Sequence, residues 1–144
     1  MELLPEIDEK KTVQNVIHFL NGHRVRVLRA GRSITSLQSP QMDGMPKAPS
    51  SDNNADNRIV ERASAAQEVD ETIRAINCLD EKSKRILTEL YLLPNPLYNW
   101  QIASEIGYSD TRYKEIKNQA YLWFAEAYSL KDFRAFQSRL YSDP

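Results

Sequence analysis

The sequence predicts an all-α protein, and three observations carry that reading. Apolar residues recur at spacings of three and four along most of the chain. Clusters of Pro, Gly, Ser and Asn cut that periodicity into pieces of helical length. One stretch, Asn99–Asn118, carries the small, glycine and apolar positions that two short helices need to pack across a tight turn. The expected order is an N-terminal amphipathic basic helix over 1–30, a flexible linker over 31–57, and a C-terminal helical domain over 58–144.

The N-terminal helix rests on residues 7–29. Ile7, Val13, Val16, Ile17, Leu20 and Val27 fall near one face, with His23 bridging the stripe. Gly22 weakens the helix by about 1 kcal/mol and is a place for it to bend or split. His18 and His23 are too far apart to form an i,i+4 metal pair, so both read as surface or edge residues. Over 31–57, Gly31, Pro40, Gly44, Pro46 and Pro49 accompany the polar run SSDNNADN, the composition of a linker. The less polar piece Ser39–Lys47 is a plain loop or a segment that docks on a helix or partner.

Helical spacing returns at 58–77, where Ile59, Ala63, Ala66, Val69, Ile73 and Ile76 form a heptad-like seam. It is too short to establish a coiled coil and reads as packing against the helices that follow. Cys78 adjoins it and reads as a small buried apolar group. Asp80 has the chemistry of an N-cap for a helix over about 81–93, with Ile86, Leu87, Leu90, Tyr91 and Leu93 inward. Pro94 and Pro96 stop that helix. Asn99 can cap a short helix, Trp100–Ile106, which Gly107 ends. Ser109 caps a long helix from about Asp110 to Leu130, and an amphipathic piece, Lys131–Tyr141, follows.

Composition bounds the function. The 144 residues hold 41% apolar side chains, enough for one modest core. Lys+Arg is 19 and Asp+Glu is 20, a net charge of −1, which excludes a histone-like polycation. A single cysteine excludes an intrachain disulfide framework and a CxxC metal site. Apolar runs are too short to span a bilayer, and the acidic start MELLPEIDEKK is unlike a signal peptide. A soluble cytoplasmic protein is expected. The charge is unevenly spread: residues 10–42 hold six bases and no acid, whereas 43–72 hold seven acids and three bases. The basic end of the first helix either follows the helix dipole as a solvated face or meets phosphates.

The function-bearing stretch is NWQIASEIGYSDTRYKEIKN, residues 99–118. Ala103 is small where a second helix must cross, and Gly107 tolerates the positive φ of the turn. Ile102, Ile106, Tyr108, Tyr113 and Ile116 supply a shared core, with Ala120 and Phe124 extending it. An ordinary αα-hairpin would need fewer of these coincidences; a helix-turn-helix needs them all. In such a motif the second helix enters the major groove of duplex DNA. Its outward side chains would be Asp110, Thr111, Arg112, Lys114, Glu115, Lys117 and Asn118. Arg112 or Lys114 suits guanine, Asn118 adenine and Glu115 cytosine. Ser109, Thr111 and Lys117 suit phosphates, and Lys82, Lys84 and Arg85 form a basic cluster that can grip the backbone. No phosphate loop, HExxH or GxSxG is present, so no enzyme, catalytic residue, metal or cofactor is expected. Tyr121, Trp123, Phe124, Tyr128 and Phe133 read as core or as an oligomer contact.

Four segments also carry a family resemblance: SPQMDGMPKAPSSDNNADNRIVERA (39–63), SKRILTELY (83–91), WQIASEIGYSDTRYKEIKNQA (100–120) and WFAEAYSL (123–130). They resemble the ArpU family of phage-encoded transcriptional regulators, relatives of the RinA-type activators of late genes. The IGYSDxRYxxxK turn is also similar to region 4 of sigma factors. The resemblance implies an activator of prophage late genes for packaging, structure or lysis. It would bind upstream double-stranded DNA through Asp110, Thr111, Arg112, Lys114, Lys117 and Asn118 and contact host RNA polymerase. Two other functions stay open. One is a small terminase subunit, although the motif lies late in this chain. The other is a protein-only adaptor on polymerase, and homo-oligomers are possible under each.

Overall fold

The computed structural model describes residues 6–34 and 53–137. Among them are six α-helices and no strand, the all-α class that the periodicity predicts. They are α1 (Glu9–Asn21), α2 (His23–Arg29), α3 (Asn53–Asn77), α4 (Glu81–Tyr91), α5 (Asn99–Ile106) and α6 (Asp110–Ala127). Residues 35–52, including the Ser39–Lys47 piece, lie outside the described residues.

Local chemistry sets most of the boundaries. Asp8, Asp80 and Ser109 sit in extended conformation and accept from the backbone N–H three residues on, at 3.1, 3.4 and 3.2 Å. Gly22 does split the first helical stretch, at φ −89° and ψ 3°. Gly31 ends α2 in the left-handed region, φ 79°, where its N–H reaches Leu28 O and that of Arg32 reaches Val27 O. α4 ends before Pro94. Two carbonyls past its end, Leu93 O and Pro94 O, are taken by the Arg24 guanidinium of α2, the second at 2.7 Å.

The helices enclose two apolar clusters. The larger joins Val16, Phe19 and Leu20 of α1, Val27 of α2, Val69, Ile73 and Ile76 of α3, Leu87 of α4, and Ala120, Tyr121 and Phe124 of α6. Phe19 lies among Phe124, Tyr128 and Phe133, with ring centroids 4.8–6.4 Å away. Fully burying a side chain such as Phe124 stabilises by roughly 1.5–3 kcal/mol. The smaller cluster, Ile86, Ile102, Ala103 and Tyr113, belongs to α4, α5 and the start of α6. α4 and α6 each contribute to both, so the first turns of α6 are anchored to the main body. Glu6–Asp8 runs antiparallel to Ala135–Gln137, with Asp8 N–H to Ala135 O and Gln137 N–H to Glu6 O both 2.8 Å.

Several local expectations are corrected. His23 is 0% exposed: it shares the inward stripe with Val16, Leu20 and Val27 and is buried with them rather than standing at its edge. Cys78 is exposed: α3 ends at Asn77, and Ile76 and Leu79 take the inward places on either side of it. Ala65 and Ala75, rather than Ala63 or Ala66, are the buried alanines of α3. Leu92 is buried at the end of α4, whereas Leu93 is half-buried. Tyr98, not Asn99, is the N-cap of α5, and α6 stops at Ala127. Residues 131–137 are not helical; Phe133 is buried, and Ala135 O and Gln137 N–H pair with the backbone of residues 6–8.

Candidate nucleic-acid interface

Gly107 is the pivot. It lies at φ 85° and ψ 26°, and its N–H and that of Tyr108 both bond Ala103 O, at 2.9 and 3.1 Å. The chain leaves this turn extended, Ser109 caps the next helix, and Asp110 stands in its first turn, where the dipole favours an acid. α6 therefore starts with Tyr113 buried against Ile102 and Ala103, and Ile116 and Ala120 continue the inward line. The opposite side carries Asp110, Thr111, Arg112, Lys114, Glu115 and Asn118, all exposed.

Several predicted residues have internal partners. Lys117 is half-buried, its ammonium 3.3 Å from Asn99 Oδ1 and 5.4 Å from the centre of the Tyr113 ring. Burial, then the neighbouring Lys114, lowers its pKa. Arg85 pairs with Glu89 at 2.9 Å and Glu105 at 2.8 Å, tying α4 to α5. Lys82 and Lys84 share the start of α4 with it; Lys82 is exposed and donates to Tyr108 Oη. Arg112 faces Glu115 at 3.4 Å with both side chains more than half exposed, a pair that contributes little and can open.

Three residues matter here in ways that the spacing did not disclose. Asn99 Oδ1 accepts from Tyr113 Oη at 2.7 Å as well as from Lys117, so it orients both. Burial, then Tyr91 and Glu89, pushes Tyr113 up to about 12, which keeps it a donor. Tyr108 was legible as a core residue of the turn, yet its ring also lies 4.8 Å from Lys82 Nζ and 6.0 Å from the Arg112 guanidinium. Trp123, 44% exposed, closes a groove of about 440 Å³ between α4 and α6 that Lys82, Arg112 and Glu115 also line. Only a position-by-position helical wheel could have flagged Trp123, since its neighbour Phe124 is buried.

The exposed start of α6 thus presents a rigidly seated, polar, hydrogen-bonding strip of mixed charge. Among the described residues no group of three or more His, Cys, Asp or Glu could hold a metal ion, and no helix is long and apolar enough to cross a membrane.

Similarity to known proteins extends along nearly the whole chain. A protein of Enterococcus hirae named "Putative autolysin regulatory protein ArpU" is 35% identical over 128 residues, covering 89% of this chain and 93% of the relative. The chain belongs to the ArpU family. A second member, of the same printed name and from Streptococcus phage O1205, is 36% identical over 129 residues, covering 88% of this chain and 93% of its own. No family model and no solved structure matches this ArpU-family chain.

Proposed function

We propose that this ArpU-family chain is a non-enzymatic transcriptional regulator that reads double-stranded DNA with the first half of α6, as an activator of phage late genes. The observation that carries the reading is the exposed strip Asp110–Asn118 on a helix whose other side is locked by Tyr113, Ile116 and Ala120. A helix seated in this way after an αL glycine can lie in a major groove with its N-terminal residues at the base edges. Arg112 and Lys114 offer donors to guanine, Asn118 a bidentate amide to adenine, and Glu115 an acceptor for cytosine. Ser109 and Thr111, with Lys82 and Lys84, suit phosphates. Lys117 is a weaker candidate because Asn99 and Tyr113 hold it. The regulatory names of two relatives, one of them from a phage, agree with this reading.

The test is fluorescence anisotropy with a duplex from the late promoter region of the protein's own phage and a scrambled duplex of equal length. Preference for the promoter duplex is expected, with log K falling by about 0.9 per phosphate contact per log unit of salt. Arg112→Ala should relax preference at one base by roughly 1–3 kcal/mol. Full specificity retained when 111, 112, 114 and 118 are all alanine would refute the groove reading. A second reading, an adaptor that touches only protein, is favoured by Tyr98 and Trp100, which are 70% and 68% exposed at the start of α5. It predicts no shift of any duplex at low salt together with binding to polymerase.

A further inference from the structure

α2 and the first half of α3 leave a groove of about 360 Å³ lined by Val25, Leu28, Arg29, Arg58, Glu61 and Arg62. None of these residues belongs to α4, α5 or α6. Val25 and Leu28 are 54% and 57% exposed. α2 is only seven residues long and already spends His23 and Val27 on the core. A solvated outer face needs polar residues, yet this one carries two aliphatics one turn apart. Clustered aliphatics with a charged rim mark an interaction surface.

The rim states what kind of partner fits. Three arginines stand there against one glutamate. Among the described residues, none of the salt bridges uses Arg29, Arg58 or Arg62. By contrast, Arg24, Arg26, Arg32, Arg74 and Arg85 all donate to carbonyls or carboxylates of the protein itself. A second copy of the chain would bring three more arginines against a single glutamate, which is repulsive. A phosphate backbone would satisfy the guanidinium groups but leave Val25 and Leu28 without apolar cover.

We propose that this groove docks an acidic amphipathic helix of a protein partner. Its aliphatic side chains would cover Val25 and Leu28, and its flanking carboxylates would take the forked donors of Arg29, Arg58 and Arg62. The proposal is independent of the α6 reading, since the two surfaces share no residue.

The test uses the full chain, ¹⁵N-labelled, and two synthetic helical peptides of about fifteen residues with leucine at i, i+3 and i+7. One peptide carries glutamate on the flanks and the other lysine. The acidic peptide is expected to shift the amides of α2 and of residues 58–62 saturably, and to bind at least about tenfold more tightly than the lysine peptide. Leu28→Glu and the double variant Arg29→Glu/Arg58→Glu should each weaken it by about tenfold or more without altering circular dichroism or thermal midpoint. Equal binding of the two peptides, or shifts centred elsewhere, would overturn the proposal. So would doubling of the molecular mass that Leu28→Glu abolishes, which assigns the groove to a second copy. Loss of duplex binding in Arg29→Glu/Arg58→Glu would assign it to nucleic acid and overturn it equally. If Leu28→Glu unfolds the chain, the two arginine reversals alone decide.

Discussion

Replacing Gly107 with alanine isolates the turn on which the orientation of α6 depends. At φ 85° an L-residue meets its own carbonyl, at a cost of roughly 1–2 kcal/mol. A Cβ built on Gly107 meets no heavy atom within 4 Å, so no packing clash adds to that figure. The smaller entropy of the unfolded alanine chain offsets about 0.4–1 kcal/mol. The net loss should be about 1 kcal/mol, lowering the thermal midpoint by about 2–6 °C. Gly107→Asn should recover part of it, because asparagine tolerates the left-handed region. Gly22→Ala is the control. Its φ of −89° suits any residue, and the close neighbour of the added Cβ is the flexible Arg26 guanidinium at 2.8 Å, so the loss should be smaller than at 107. Urea unfolding followed by circular dichroism measures all three. If Gly107→Ala matched the parent within about 0.3 kcal/mol, or fell above Gly107→Asn, the left-handed turn would be wrong and the placement of α6 with it.

Three further outcomes follow from single contacts. Glu71 accepts from the Arg74 guanidinium at 2.5 Å and from Ser129 N–H at 2.8 Å, and these bonds, against opposing burial, hold its carboxyl at about 2, below the usual 4.5. A depressed carboxyl pKa stabilises the fold above pH 4.5 and loses that contribution as pH falls toward 2. Urea midpoints should therefore drop more steeply over that window in the parent than in Glu71→Gln, and a carboxyl resonance titrating near 4.5 would contradict the pairing. Arg24→Ala removes a charged donor from Leu93 O and Pro94 O and should cost about 1–2 kcal/mol, read by the same urea unfolding. Cys78, exposed and within 3.3 Å of the Arg74 guanidinium, should react with a water-soluble disulfide reagent in the native state; a thiol that reacts only in denaturant would restore the buried reading.

Much of the candidate site was legible because its constraints are local. Gly107, Ser109 and the inward line Ile102–Tyr113–Ile116 follow from helix period, turn stereochemistry and capping, each of which acts within a few residues. Availability of the predicted contacts was not legible. Arg85 and Arg112 look alike in sequence, but Arg85 forms an ion pair with Glu105 across an interhelical gap whereas the ion pair of Arg112 is with Glu115, one turn on. Lys117 is outward by period, yet Asn99, eighteen positions earlier, holds its ammonium.

Sequence alone determined that the chain is helical, where most helices start and stop, and which faces are apolar, since those follow from short-range periodicity and capping. Tertiary structure alone decided which side of a broken or ending helix meets the core. The end of α3 left Cys78 in solvent, and residues 6–8 paired with 135–137, where the spacing alone reads as helical. These outcomes depend on contacts between segments far apart in the chain, and no local propensity encodes which partner a segment will find.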